Sequence, residues 1–285
     1  APVKNGIING GMLVAQRAAL TLGSSSPAAN AGYGKVDRFQ CWATGTAVSA
    51  GTATQDTASG IGRTGYALKL SGVTLTGTGI VFIRQRIESI FATRFKNQTA
   101  SFAIVVKHDV GSTINYTVTI RKPNSADNYA GTTTITTGSA TPISTGTETT
   151  LSLSGVSMGD CSNGIEIEIK AECGAITTKN FWYTEAQLEE GSSSTAFEHV
   201  DFNSALSSCR RYYEKSFQYS TDPAEGVDYK TGRGTRAGYS ATTTAQYSQL
   251  ETFTEVKRSS PTMVYFKSSV GGSNATWRFY EANVS

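Results

Sequence analysis

Short segments that alternate apolar and polar side chains recur between residues 5 and 200, and this period of two constrains the fold more than any other feature. In Gly164–Glu172, Ile165, Ile167 and Ile169 fall on one face, and Glu166, Glu168 and Lys170 on the other. In Thr113–Arg121, Tyr116, Val118 and Ile120 oppose Thr117, Thr119 and Arg121. Tyr66–Leu70, Gly79–Glu88, Ala100–His108, Gly131–Thr136, Thr149–Leu153 and Asn180–Leu188 read as further strands, with turn residues between them. Residues 5–22 are assigned to a strand on β-branched Ile7, Ile8 and Val14 and the Gly10–Gly11 pair. Val36–Trp42 is another, with Phe39 and Cys41 on one side and Arg38, Gln40 and Trp42 on the other. Roughly ten strands at this spacing predict an all-β fold with a two-sheet antiparallel sandwich over residues 1–200. Periodicity does not choose between a jelly roll and an immunoglobulin-type sandwich, although the Cys and Trp spacing of antibody domains is absent.

The pattern restarts after Asn203. Asn203 or Ser204 is placed to cap a short helix carrying Leu206, Cys209 and Tyr212 on one face. Strands are expected at Ser216–Ser220, Ala237–Tyr247, Glu251–Val256, Met263–Lys267 and Thr276–Tyr280, with Pro261 setting the entry to one of them. Residues 201–285 are thus expected to form a smaller β-rich domain with one short helix, suited to completing itself against another subunit.

Composition narrows the function classes. A net charge of +3 spread along 285 residues argues against a nucleic-acid footprint. The chain contains no apolar run of membrane-spanning length. In the apolar patch Met12–Leu22, Gln16 and Arg17 interrupt the hydrophobic run and no basic region precedes it, so no secretory signal is expected. Cys41, Cys161, Cys173 and Cys209 form no C-x-x-C pair and the chain has 2 His, so no metal or cofactor is expected and buried free thiols are the simplest reading.

No G-x-S-x-G, H-E-x-x-H, P-loop or strand-linked G-x-G-x-x-G motif is present, and no enzyme activity is expected. His108 beside Asp109 reads as a surface turn at a strand end, and His199 as structural. Glu166 and Glu168 share a strand face, and glycosidase chemistry needs two acids flanking one bond, but the solvent face of an alternating strand explains them. Binding is better motivated, because aromatic faces stack on sugar rings. The glycan-binding candidates are Tyr129 in the polar loop Lys122–Tyr129, Trp182, Trp42 and Tyr116.

Several motifs resemble one known family. Gln187-Leu188-Glu189-Glu190-Gly191 followed by Thr195-Ala196-Phe197-Glu198 is similar to the Q-L-E-x-G-x-x-x-T-x-F-E ending of a module found in tailed-bacteriophage virion proteins. Cys209-Arg210-Arg211-Tyr212-Tyr213-Glu214-Lys215-Ser216 resembles the C-x-R-Y-Y-E-K-S opening of that module's C-terminal partner domain. Asn9, Gln16-Arg17, Tyr33 and Asp37-Arg38-Phe39 resemble its start, with Phe39 where the family has Trp, and Gln85-Arg86-Ile87-Glu88 resembles its internal Q-x-I-E strand. Lys257 to Thr262 is similar to the partner domain's M-R-A-x-P-T element. The resemblance implies a tail-fibre, spike or head-fibre protein with a carbohydrate-binding-module-like jelly roll, assembled in the host cytoplasm into the virion. It further implies other virion proteins and a homotrimer as partners, host surface polysaccharide as the ligand, and a chain that usually continues past the position of Ser285. An architectural decoration or fibre-attachment protein without glycan binding is the alternative; a polysaccharide depolymerase ranks last. Asp37, Arg38, Gln187, Glu189, Arg210, Arg211, Tyr212 and Tyr213 are expected to be structural or interdomain residues, with Asp37 and Arg38 forming an ion pair.

Overall fold

The computed structural model describes residues 4–23, 31–224, 253–267 and 278–283. In chain order its strands are β1 (Leu20–Thr21), β2 (Gly32–Tyr33), β3 (Gln40–Thr44), β4 (Ala47–Asp56), β5 (Ala67–Thr76), β6 (Ile80–Ile87), β7 (Thr99–His108) and β8 (Ile114–Ser125). They continue as β9 (Asn128–Thr137), β10 (Thr141–Ile143), β11 (Thr149–Ser157), β12 (Ile165–Glu172), β13 (Ile176–Glu190), β14 (Tyr213–Lys215), β15 (Thr262–Lys267) and β16 (Arg278–Asn283). The helices are α1 (Ser89–Ala92) and α2 (Phe202–Arg210).

The predicted sandwich is present. One six-stranded sheet has the order β1-β4-β5-β13-β7-β11, and a seven-stranded sheet has the order β10-β8-β12-β6-β3-β2 with β9 also paired to β8. All recorded pairings are antiparallel. The chain crosses between sheets at β1–β2, β3–β4, β5–β6, β6–β7, β7–β8, β10–β11, β11–β12 and β12–β13, the connectivity of a jelly roll. Ile165, Ile167 and Ile169 of β12 and Tyr116, Val118 and Ile120 of β8 face inward against Leu70, Phe102, Ile104 and Phe181 in one apolar core. Because side chains alternate, the residues between them emerge on the outer face of the second sheet.

Residues 5–17 are not a strand. They form an irregular strap with turns at residues 8–11, and Asn9 and Met12 have φ of 60° and 57°. Gly10 is there because a Cβ would lie 2.1 Å from the Ala186 carbonyl oxygen. A strap without a ladder needs side-chain partners for its backbone, and it finds them. Asn5 Oδ1 accepts from Leu188 N–H, Gln85 exchanges two hydrogen bonds of 2.9 Å with Ile8, and Asn9 Nδ2 donates to the Val14 and Asp37 carbonyls.

Other departures are local. The β3 ladder starts at Gln40 rather than Val36, because Asp37 and Arg38 form a turn with Arg38 at φ 78°. β4 has too many Ala, Gly and Thr residues for its alternation to be visible in the sequence. The α2 cap is Asp201, whose carboxylate accepts from Asn203 and Ser204 N–H. His108 is not at the surface. It is fully buried, with its ring bonded to the Ile143 carbonyl and to Val110 N–H. Ser216–Ser220 is irregular, whereas Tyr213–Lys215 pairs with β16, which pairs in turn with β15. The strand expected at Ala237–Tyr247 lies outside the described residues. All 4 Cys are buried and unpaired. Val14 of the strap packs with Ala205, Leu206 and Cys209 of α2, so the C-terminal segment shares an apolar patch with the N-terminal one.

At the end of β13, Glu189 accepts from Thr195 N–H at 2.6 Å, Thr195 Oγ1 at 2.8 Å and Gln187 Nε2 at 2.9 Å, with Lys4 Nζ at 3.4 Å. Burial pushes this carboxyl up, but these donors outweigh it and hold it below its ordinary 4.5. A depressed carboxyl contributes stability above pH 4.5 that is lost as pH falls through the folded-state value. Glu189→Gln is therefore expected to cost about 1–2 kcal/mol at pH 7 in urea titrations. The gap to the parent should close as the pH is lowered below 4.5; a gap constant with pH overturns the assignment.

Candidate functional site

The outer face of the second sheet is built by strand register. Gln40 of β3 stands beside Arg84 of β6, which stands beside Glu168 of β12; Arg86 stands beside Glu166, which stands beside Arg121 of β8. In the next rank Trp42 pairs with Phe82, their rings stacked at 4.8 Å and 4°. Glu166 is 3% exposed and receives Arg86 at 2.8 Å, Arg121 at 3.3 Å and Arg84 at 3.6 Å. Three guanidinium groups thus share one buried carboxylate, with Glu168 relieving Arg121 at 3.0 Å. Arg84 also donates through Nε to Gln40 Oε1 at 2.7 Å. Burial lowers its proton affinity, and neighbouring Arg86 lowers it further against the pull of Glu166.

Beyond this ladder the face opens into a cleft of about 560 Å³, lined by Tyr33, Arg38, Gln40, Arg84, Arg86, Glu88, Asp127, Tyr129 and Arg258 among others. Tyr129 is held in place: its hydroxyl donates to the Ile87 carbonyl at 2.6 Å, and Arg86 lies 4.6 Å from its ring centre. Burial pushes its phenol well above the ordinary range. Gly164, at φ 131°, permits that docking, since a Cβ would come within 2.5 Å of the Tyr129 oxygen and 3.1 Å of the Ile87 carbonyl.

The four aromatic candidates are not brought together. Tyr129 lines the cleft, but as part of β9 rather than as a free loop tip. Trp42 belongs to the same face yet is 2% exposed beneath Arg84, which leaves no open ring for a sugar. Tyr116 is fully buried in the core against Tyr183, and no ligand reaches it. Trp182 lies on the outer face of the other sheet, half-buried, donating to Asp56 at 3.0 Å and covering Ile61, Ala67 and Val105.

The other motif residues serve the scaffold. Asp37 does not pair with Arg38. It is 1% exposed and accepts from Gln16 Nε2 at 2.5 Å and Gln16 N–H at 3.2 Å, while Gln16 Nε2 also reaches the Tyr213 carbonyl. Arg38 turns the other way, donates to the Arg86 carbonyl at 2.5 Å and lies 3.4 Å over the Tyr212 ring. Arg17 lies 3.9 Å over Tyr213. Arg211 forks onto Glu88 at 2.9 and 3.1 Å, while the Arg210 carbonyl accepts from Lys257. Gln187 Oε1 accepts from Glu198 N–H at 2.7 Å. A second cavity of about 580 Å³ lies between strap and helix, lined mainly by apolar groups such as Ile8, Phe91, Phe197 and Val200. Among the described residues, no group of three or more His, Cys, Asp or Glu could hold a metal ion.

The residues that sequence reasoning passed over are Tyr33, Gln40 and Arg84. The signal for Arg84 was the phase of β6, in which Phe82, Arg84 and Arg86 share the face opposite Val81, Ile83, Gln85 and Ile87; Tyr33 and Gln40 join them from β2 and β3 through strand register.

No family model and no curated protein matches the sequence. Among solved structures the chain is similar to a carbohydrate-binding module of the β-sandwich superfamily studied for promiscuous specificity, at 12% identity and a TM-score of 0.41. That match covers 59% of this chain and 62% of the other, so the chain spans less than two thirds of that protein's length. It is also similar to TmCBM61 in complex with beta-1,4-galactotriose, at 9% identity, a TM-score of 0.38, and 66% and 99% coverage. A third is the C-terminal family 22 carbohydrate binding module of Clostridium thermocellum Xyn10B, at 14% identity, a TM-score of 0.38, and 59% and 100% coverage. These superpositions are loose, and the fold assignment rests on the strand pairing itself.

Removing Glu166 leaves three guanidinium groups facing one another. Glu166→Ala is expected to cost about 3 kcal/mol in denaturant titrations, the low end for a buried pair that loses one partner, because the arginines keep partial access to water. Glu166→Gln should cost less. Gly164→Ala is expected to lower the melting temperature and to expel the Tyr129 hydroxyl, read as a change in tyrosine fluorescence; an unchanged spectrum and melting temperature would falsify the packing described.

Proposed function

We propose that this protein is a non-enzymatic carbohydrate-binding protein of a tailed-phage virion, a fibre or spike component that adheres to host cell-surface polysaccharide through the cleft on its second sheet. The observation that carries the binding reading is that cleft: a concave surface where Tyr33 and Tyr129 supply rings and Gln40, Arg84 and Arg86 supply hydrogen-bond donors and acceptors, all mounted on paired strands. Rigid strands hold such groups in place at little entropic cost, which suits a shallow site for sugar rings. The phage reading is supported by the motifs ending in Gln187-Leu188-Glu189 and opening with Cys209-Arg210-Arg211-Tyr212-Tyr213. Residues 1–200 serve as the sandwich and residues 201–285 as an assembly domain within a homotrimer.

The architectural alternative also has an observation in its favour. Gln187, Glu189 and Arg211 of those motifs, and Asp37 of the Asp37-Arg38-Phe39 motif, are consumed by contacts within the chain.

Glycan arrays and isolated host surface polysaccharide test the reading. The full chain is expected to bind with micromolar affinity and release no product. Tyr33→Ala or Tyr129→Ala should weaken binding roughly five- to tenfold, the contribution of one aromatic contact. Silence across arrays and host cells returns the protein to the architectural class, and product release makes it a depolymerase. Mass analysis of the protein in solution and its labelling on intact particles test the trimer and the virion position.

A further inference from the structure

Arg38 stands apart from the other guanidinium groups of the cleft. It is 5% exposed, yet no carboxylate among the described residues lies within ion-pair distance of it, and its Nε–H has no partner there. Among the described residues its one hydrogen bond goes to the Arg86 carbonyl, with the Tyr212 ring beneath it. A buried cation without a counter-ion is costly, and the backbone that carries it is strained as well, at φ 78° in a residue that is not glycine. Features of this kind persist where the surrounding structure enforces them, and they gather at ligand sites.

The neighbouring charges do not relieve it. The two acidic groups that line the cleft make their hydrogen bonds to other partners. Glu88 is held by both arms of Arg211, and Asp127 accepts from Ser89 N–H at 2.8 Å and Ser89 Oγ at 2.9 Å. Arg84 and Arg86 draw on Glu166, which they share with Arg121. The cleft therefore presents more cationic than anionic charge, on forked donors that match a planar carboxylate.

We infer that the cleft takes an acidic saccharide, with a sugar carboxylate seated against Arg38, Arg84 and Arg86 and the ring against Tyr33 and Tyr129. This rests on the carbohydrate-binding reading above and names its substrate class. A carboxylate there supplies the counter-charge that the fold leaves out, and the rings and Gln40 distinguish a uronate from a bare anion.

Calorimetric titration of the full chain with oligogalacturonate, with neutral xylo- and gluco-oligosaccharides, and with duplex DNA as a polyanion without sugar carboxylates tests the inference. Oligogalacturonate is expected to bind at least about tenfold tighter than either neutral series, the scale of one charge-assisted contact. Arg86→Gln, at a partly exposed position that leaves Glu166 with Arg84 and Arg121, should reduce uronate binding about tenfold and any neutral-sugar binding by less, so that the uronate preference narrows. Arg38→Gln should do the same, and its thermal melt is read alongside so that a loss of fold is not taken for a loss of site. Preference for neutral sugars overturns the inference and leaves the carbohydrate-binding reading standing. Binding of no saccharide overturns both. Duplex DNA binding as tightly as uronate shows attraction to charge alone, and a uronate preference unmoved by Arg86→Gln puts the site elsewhere; either result overturns it.

Discussion

The buried knot joining Asn9, Gln16, Asp37 and the Tyr213 carbonyl is the interaction on which the rest depends. The strap of residues 5–17 has no strand partner, so its peptide groups must be satisfied by side chains or be left buried without bonds, at a cost of roughly 1–3 kcal/mol each. Asn9 closes the strap's own turn through Val14 and ties it to the Asp37 carbonyl. Gln16 then bridges the Asp37 carboxylate to the first residue of β14. One small network therefore connects the N-terminal strap, the entrance to β3 and the C-terminal segment.

The same knot positions the cleft. With Asp37 committed to Gln16, the chain turns sharply at Arg38 and its guanidinium points toward Arg86 and Tyr212 instead of toward its neighbour. Scaffold and cleft thus share adjacent residues with opposite tasks: an acid satisfied internally and a guanidinium without a counter-ion among the described residues. On the sheet itself, Glu166 performs a comparable service by holding Arg84 and Arg86 side by side at a separation that mutual repulsion would otherwise oppose.

Much of the sandwich was legible because strands that bury one face must alternate. β6, β8 and β12 announce themselves through Val81 and Ile83, Val118 and Ile120, and Ile165 to Ile169. β4 did not, since Ala, Gly and Thr carry little contrast between faces. The strap misled for the opposite reason: its apolar residues are buried, but by turns and side-chain bonds rather than by pleating. Of the site, Tyr129 was visible as an aromatic in a polar segment and Trp42 and Trp182 as large rings, but composition cannot say which face of a ring is covered. Tyr116 sits on an alternating strand whose inward phase was itself readable, and that phase outweighs its value as an aromatic.

By itself the sequence determined the all-β class, the inward and outward faces of most strands, the buried thiols and the polar residues that recur in the motifs. These follow from local periodicity and from the rule that buried polar groups need partners. Only the tertiary structure decided which partners they take. Asp37 chose Gln16 over adjacent Arg38, Arg211 chose Glu88 across 123 positions, and Tyr33, Arg84 and Tyr129 from three separate strands met around one cleft. Antiparallel register sets such meetings, and it depends on how two sheets pack against a common core, which no single segment encodes.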